Sequence, residues 1–160
     1  MTPPPDAPLY IHANALVLGE CGLLLRGPSG AGKSALTLQL IADWGARGDF
    51  ARLVGDDRVA LEARAGRLIA RPHPTIRGLI EARGLGLLRL PYEPACVLRA
   101  VIDLVADADD ARRFPDEAER AIELCGVTLP RMFEHGALKY GANAGAAARI
   151  AAFIHELAIN

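Results

Sequence analysis

Apolar residues in this chain fall into short blocks punctuated by glycine and proline, and the period inside each block separates strand from helix. Tyr10 to Leu18 and Gly22 to Arg26 are brief apolar segments joined by Gly19-Glu20-Cys21-Gly22, which predicts a hairpin whose second strand runs into a glycine-rich stretch. From Lys33 to Ala46 the pattern changes. Leu36, Leu40, Ile41 and Trp44 recur at helical spacing, and Gly45 and Gly48 are available to end the helix. Leu53-Val54 leads into Gly55-Asp56-Asp57, after which Val59, Leu61 and Ala63 alternate as in a strand with a bend at its start.

Further on, Ala65-Gly66 is a turn, Leu68 to Ala70 a returning strand, and Pro72-His73-Pro74 a rigid break. Two glycines, Gly84 and Gly86, place a loop ahead of Leu87 to Leu90. Cys96 to Val105 is a mostly apolar run of strand character, expected to close the sheet. Arg112 to Glu123 is compatible with a helix, while Ala121 to Leu124 and Val127 to Leu129 read as two short strands about Gly126; the strand reading is preferred. Helical spacing of Ala148, Ala151, Ala152 and Ile154 predicts a terminal helix over Asn143 to Leu157. Strands mixed with a loop-following helix and a final helix make the class α/β with a mixed, strand-rich sheet. Residues 1–8, with three consecutive prolines, read as a disordered tail, and residues 9–158 as one nucleotide-binding domain.

Bulk properties narrow the function. Eighteen basic residues against 19 acidic ones leave a formal charge of -1, so no global field holds a polyanion, and aromatics at 5% offer little stacking surface. Nucleic acid is therefore not the expected partner. No apolar run approaches the ~18 residues that span a bilayer, and the amino terminus lacks a basic-then-apolar leader, so no membrane is expected and the cytoplasm is the default location. Cys21, Cys96 and Cys125 match neither a disulfide framework nor paired metal ligands, and read as small core residues.

The most specific chemistry lies in Gly27-Pro28-Ser29-Gly30-Ala31-Gly32-Lys33-Ser34, a G-x-x-x-x-G-K-[ST] phosphate loop placed after a strand and before a helix. Glycines let consecutive backbone N–H groups converge on phosphate oxygens, and the helix start adds its positive end to the same anion. Position assigns Lys33 to the β- and γ-phosphates of ATP, and Ser34 to the Mg2+ that bridges them. Phosphoryl transfer also needs carboxylates, and Asp56-Asp57 is the best-placed pair, followed by Glu81, read as lying in a glycine-containing loop. An acidic pair before a strand is otherwise an ordinary solvated turn, and a lone histidine in an apolar strand, such as His12, is more often a satisfied core residue.

Four features together resemble the catalytic domain of the HPr kinase/phosphorylase family, which acts on a serine of the phosphocarrier HPr. These are His12 ahead of the loop, the loop itself, Val54-Gly55-Asp56-Asp57, which looks like the family's Val-Ala-Asp-Asp, and Glu81-Ala82-Arg83-Gly84-Leu85-Gly86-Leu87, which looks like its Glu-Ile-Arg-Gly-Leu-Gly-Ile signature. The resemblance implies the phosphate-loop fold shared with phosphoenolpyruvate carboxykinase and an ATP- and Mg2+-dependent serine kinase, with the reverse, phosphorylase, reaction left open. It implies Asp57 as the base, His12 supporting it, and Lys33 on phosphate. Ser34 and Glu81 would bind the metal with Asp56 in its shell, and Arg83, Gly84 and Gly86 would shape the wall facing the protein substrate. The family's further catalytic arginine is sought at Arg112 or Arg113, with Arg113 chosen. Family members form hexamers, so a homo-oligomer is expected.

The resemblance departs from the family at both ends. Full-length members carry an additional amino-terminal domain, so the chain resembles the short proteobacterial form, and the family's proline/glycine/arginine segment is only echoed by Leu129-Pro130-Arg131. Two other functions stay open at this level: a small-molecule kinase or nucleotide hydrolase, and an ATP-sensing module with reduced catalysis.

Overall fold

The structure is a computed structural model that describes residues 7–105, 115–135 and 144–159. Its strands are β1 (Leu9–Ile11), β2 (Ala13–Leu18), β3 (Cys21–Arg26), β4 (Ala51–Gly55), β5 (Val59–Arg64), β6 (Arg67–Pro72), β7 (Leu79–Ala82), β8 (Gly86–Arg89), β9 (Cys96–Val105), β10 (Ala121–Leu124) and β11 (Val127–His135). Two helices, α1 (Lys33–Ala46) and α2 (Ala144–Ile159), accompany them. The main sheet runs β1-β5-β6-β9-β3-β2-β4, with β11 joining β9 and β10 joining β11; β7 and β8 form a separate antiparallel pair.

Strand β9 is the seam of this sheet and not its closing edge, as the sequence pattern suggested. Its first residues pair antiparallel with β6, through Ile69↔Val97 and Ala70↔Cys96. The remainder runs parallel to β3 on one side and to β11 on the other. A ten-residue strand is long enough to serve different partners along its length, which short local windows cannot reveal. Gly22 makes the β3–β9 approach possible: a Cβ there would stand 2.2 Å from the Val97 carbonyl oxygen.

Residues of β2 and β3 alternate between two cores. Leu16, Leu18, Leu23 and Leu25 pack with Leu36, Leu40 and Trp44 of α1 and with Ala146 and Ile150 of α2. On the opposite face, Ala13, Ala15 and Leu24 meet Val59, Leu61, Leu68, Val101 and Leu129. A strand covered on both sides reads as a continuous apolar run, which explains the unbroken leucines of β3.

Local chemistry sets the ends of these elements. Gly32, in the left-handed region at φ 89, precedes α1. The helix closes where the Arg47 and Asp49 N–H groups both donate to the Trp44 carbonyl, with Gly48 at φ 81. Ala65-Gly66 and Cys125-Gly126 both have positive φ at their two central residues, the backbone twist that suits two-residue hairpins.

Three sequence readings change. The expected strand from Tyr10 to Leu18 is two strands broken at His12, β1 pairing with β5 and β2 with β3 and β4. Glu81 lies in strand β7, ahead of the loop. Cys125 is exposed in a turn and not a core residue, whereas Cys21 and Cys96 are half-buried free thiols. The preferred strand reading after residue 120 holds, with β11 reaching to His135.

Candidate functional site

The phosphate loop leaves the C-terminal end of β3 at Gly27 and enters α1 at Lys33. Close packing dictates glycine at the first position, since a Cβ on Gly27 would lie 3.0 Å from both the Cβ and the carbonyl oxygen of Leu104. At the other end, Gly32 supplies no side chain to cap α1, and no acidic residue lies in the first turn, so the leading N–H groups of the helix face outward as donors for an anion.

Lys33 is buried, and its three N–H bonds are accounted for. Its Nζ donates to the carbonyl oxygens of Gly27 at 2.8 Å and Pro28 at 3.1 Å, and lies 3.0 Å from His12 Nε2. Burial lowers the Lys33 pKa, an effect opposed by the negative charges of Asp57 and Asp56. A protonated Lys33 donating to His12 makes Nε2 an acceptor, which puts the imidazole hydrogen on Nδ1. That nitrogen faces Asp57 Oδ1 at 2.9 Å. One imidazole thus joins the phosphate-loop lysine to a carboxylate whose side chain is 70% exposed to an incoming molecule.

Asp57 sits at the centre of a three-residue turn, at φ 61, closed by the Arg58 N–H donating to the Asp56 carbonyl at 2.6 Å. Positive φ in a non-glycine residue costs about 1–3 kcal/mol and is tolerated where surrounding contacts impose it. Asp56 points the other way and is buried. Its Oδ1 accepts from the Ser34 hydroxyl at 2.7 Å, and its Oδ2 accepts from the backbone N–H of Glu81 at 2.9 Å.

A hydroxyl beside a buried carboxylate is a donor set that suits Mg2+, which takes one or two protein oxygens and completes its shell with water and phosphate. Among the described residues no three or more His, Cys, Asp or Glu side chains gather to cage an ion by themselves.

At the root of the loop, Arg26 and Arg131 converge on Asp103. Arg26 donates through Nε to Oδ1 and through a terminal nitrogen to Oδ2, each at 2.7 Å, and Arg131 Nε donates to Oδ2 at 2.7 Å. Two cations on one carboxylate leave a positive excess at the residue preceding Gly27. The cluster ties β3, β9 and β11 together, and nothing in local spacing announced it.

The sequence-predicted residues separate into groups. His12, Lys33, Ser34, Asp56 and Asp57 come together through direct contacts, with Glu81 joined by its main chain. Arg83 and Gly84 lie on the exposed turn between β7 and β8 and Gly86 opens β8, Gly84 and Gly86 at φ 85 and 86. Arg112 and Arg113 lie outside the described residues. Sequence reasoning missed Asn14, which is fully buried and bonded to both sides of the site. A polar residue inside an otherwise apolar strand was the signal for it.

A phosphate loop between a parallel-paired strand and a helix, with an acidic turn at the end of β4, two strands away in the same sheet, defines the class as a P-loop-type α/β domain. Within that class, a profile described as HPr Serine kinase C-terminal domain matches residues 7–93, more than half of the chain. The chain belongs to that family. It is 39% identical over 137 residues to the HPr kinase/phosphorylase of Neisseria meningitidis, covering 74% of this chain and 40% of that protein. To the HPr kinase/phosphorylase of Chromobacterium violaceum it is 34% identical over 134 residues, covering 76% of this chain and 40% of the relative.

The chain thus spans about two fifths of the length of these relatives. The solved structure of the Hpr(Ser) kinase/phosphatase from Coxiella burnetii matches with a TM-score of 0.74, over 94% of this chain and 97% of that one. At 23% identity that likeness speaks for the fold. Among the described residues no helix is long and apolar enough to cross a membrane.

Proposed function

We propose that this chain is a phosphotransferase that moves the γ-phosphoryl group of ATP, with Mg2+, to a serine hydroxyl of an HPr-type phosphocarrier protein. The observation that carries the reading is the imidazole of His12 held between Lys33 Nζ at 3.0 Å and Asp57 Oδ1 at 2.9 Å. It joins a phosphate-binding cation and a solvent-facing carboxylate in one hydrogen-bonded line.

The residues divide the work as follows. Backbone N–H groups of the loop from Gly27 to Ser34, Pro28 excepted because it has none, receive the phosphates of the nucleotide. Lys33, buried with its three donors on two carbonyls and His12, moves its contacts to the β- and γ-phosphates. Ser34, Asp56 and Glu81 would hold the metal. When bound, Mg2+ supplies positive charge that stabilises the phosphates as charge develops on them.

Asp57 accepts the serine proton as the serine oxygen forms its bond to phosphorus and the bond to the β-phosphate oxygen breaks, releasing ADP. The His12 Nδ1–H donates to Asp57, which orients the carboxylate toward the incoming hydroxyl. Arg83, Gly84 and Gly86, on the β7–β8 turn, form the wall that meets the carrier. By the same family reading the enzyme acts in the cytoplasm as a homo-oligomer, and reversal by inorganic phosphate is the companion activity.

Purified protein incubated with labelled ATP, Mg2+ and an HPr-type carrier is expected to label one serine of the carrier, and an Asp57→Asn control is expected to bind ATP without labelling. Absence of label across metals and carriers, or rapid labelling of a metabolite with no protein acceptor, would overturn the proposal. Sedimentation of the same preparation gives its oligomeric state.

A further inference from the structure

We infer that Asn14 is the positioning residue that couples occupancy of the phosphate loop to the placement of Asp57; the kinetic part of this inference rests on the function proposed above. Asn14 belongs to β2, two residues after His12, and its side chain is completely buried. Its contacts reach both halves of the site. Oδ1 accepts from the Asp57 backbone N–H at 2.9 Å. Nδ2 donates to Thr37 Oγ1 at 3.2 Å and to Ser34 Oγ at 3.4 Å.

The direction of these bonds follows from the donors already committed. The Thr37 hydroxyl gives its hydrogen to the Lys33 carbonyl at 2.8 Å, and the Ser34 hydroxyl gives its hydrogen to Asp56 Oδ1. Each oxygen therefore has only lone pairs left to offer, and an amide nitrogen is the group that satisfies them. The backbone N–H of Asp57 can only donate, which requires the amide oxygen on that side. The orientation of Asn14 is thus set by its partners at both ends, and no other residue type of this size supplies an acceptor and two donors from one planar group.

Asp57 needs such a fixture, because its φ of 61 is a conformation a non-glycine residue holds only under constraint. Three consecutive residues provide it. His12 meets the carboxylate, the Ala13 N–H donates to the Asp57 carbonyl at 3.2 Å, and Asn14 takes the Asp57 N–H. Both His12 and Asn14 extend to the start of α1, His12 through Lys33 and Asn14 through Ser34 and Thr37, but Asn14 is the one that joins the helix to the Asp57 backbone N–H. When Ser34 turns its oxygen toward a metal and Lys33 leaves for phosphate, the change at the start of the helix is felt by the Asn14 amide and passed to the turn that carries the carboxylate.

The test uses two variants and two independent readouts on the whole chain. In Asn14→Ala, kcat for phosphotransfer is expected to fall roughly 10- to 100-fold while KM for ATP stays within about threefold, because a displaced base impairs transfer and not nucleotide capture. Hydrogen exchange of the Asp57 amide is expected to accelerate roughly tenfold as its acceptor is lost. Thr37→Val, made in another element and contacting neither Asp57 nor ATP in the proposed reading, loosens the far end of Asn14 and is expected to move both readouts the same way by a smaller factor.

Nucleotide addition to the wild-type protein is expected to shift the Asp57 amide NMR signal, and both variants to blunt that shift. Wild-type Asp57 exchange in both variants, or equal losses in kcat and ATP affinity, would overturn the inference. If the wild-type chain labels no carrier at all, the proposed function fails while the amide readouts still decide the role of Asn14.

Discussion

Two parts of the candidate site are built on opposite principles. Around the phosphate loop, His12, Asn14, Lys33, Ser34, Asp56 and Asp57 are locked to one another by hydrogen bonds. The β7–β8 hairpin is tied to that cluster at its root, through the Glu81 N–H and Asp56, but its tip stands in solvent with Leu85 at 76% and Leu87 at 70% exposure. The first region is held in one geometry by its own hydrogen bonds, the condition that preorganised electrostatics requires. The second presents apolar surface that has no use inside the fold, which is how a surface for another macromolecule is made. In the reading proposed above, chemistry falls to the hydrogen-bonded cluster and recognition to the outward-facing hairpin.

The sharpest test of the first region is its base. Asp57→Asn is expected to lower the rate of transfer by about 10²- to 10⁴-fold while leaving ATP binding in place, measured by single-turnover labelling of the carrier. A decline in binding equal to the decline in rate would mean that the carboxylate serves the loop and not the acceptor.

Next in size is Gly27→Ala. The added methyl meets Leu104 at 3.0 Å, its backbone oxygen included, so the loop itself must move. Destabilisation of about 1–3 kcal/mol by chemical denaturation is expected, together with weaker nucleotide binding. Unchanged stability would show that the loop is less rigidly seated than its contacts indicate.

A pH experiment probes the lysine within the cluster. Burial holds the Lys33 pKa below its ordinary 10.5. The unfolded chain therefore binds that proton more tightly than the folded one, so Lys33 opposes folding while it is charged. This penalty is relieved as pH rises through the folded value toward 10.5. Denaturation profiles of wild type and Lys33→Met compared from neutral pH upward are expected to converge in favour of the wild type, since contributions common to both cancel in the difference. A constant gap would exclude the lysine as the titrating group.

The hairpin is expected to show the smallest effect on stability. Leu85→Ser should change unfolding free energy by less than about 0.5 kcal/mol, as for exposed positions in general, while raising KM for the carrier protein and not for ATP. Unaltered carrier KM would remove the hairpin tip from the docking surface and end the division of labour drawn above.

Much of the local structure was legible because it rests on contacts between near neighbours in sequence. The helix over Lys33–Ala46 and the strand over Cys96–Val105 agree with the spacing of their apolar residues, and the turns at Ala65-Gly66 and Gly126 follow from glycine chemistry. Family membership was legible for a related reason: the loop, the acidic pair and the Glu81 to Leu87 signature are short runs whose chemistry demands fixed neighbours.

What the chain determined by itself, then, is where the phosphate loop lies and which short segments bend, because backbone propensity and glycine placement act within a few residues. Only the tertiary structure decided that β9 lies mid-sheet, that Arg26 and Arg131 share Asp103, and that Asn14 spans 23 positions to Thr37 and 43 to the Asp57 amide. Those contacts arise from the register of strands that meet after long excursions of the chain. A hydrogen bond requires placement to a few tenths of an ångström, and the period of a sequence pattern reports a face but not a partner.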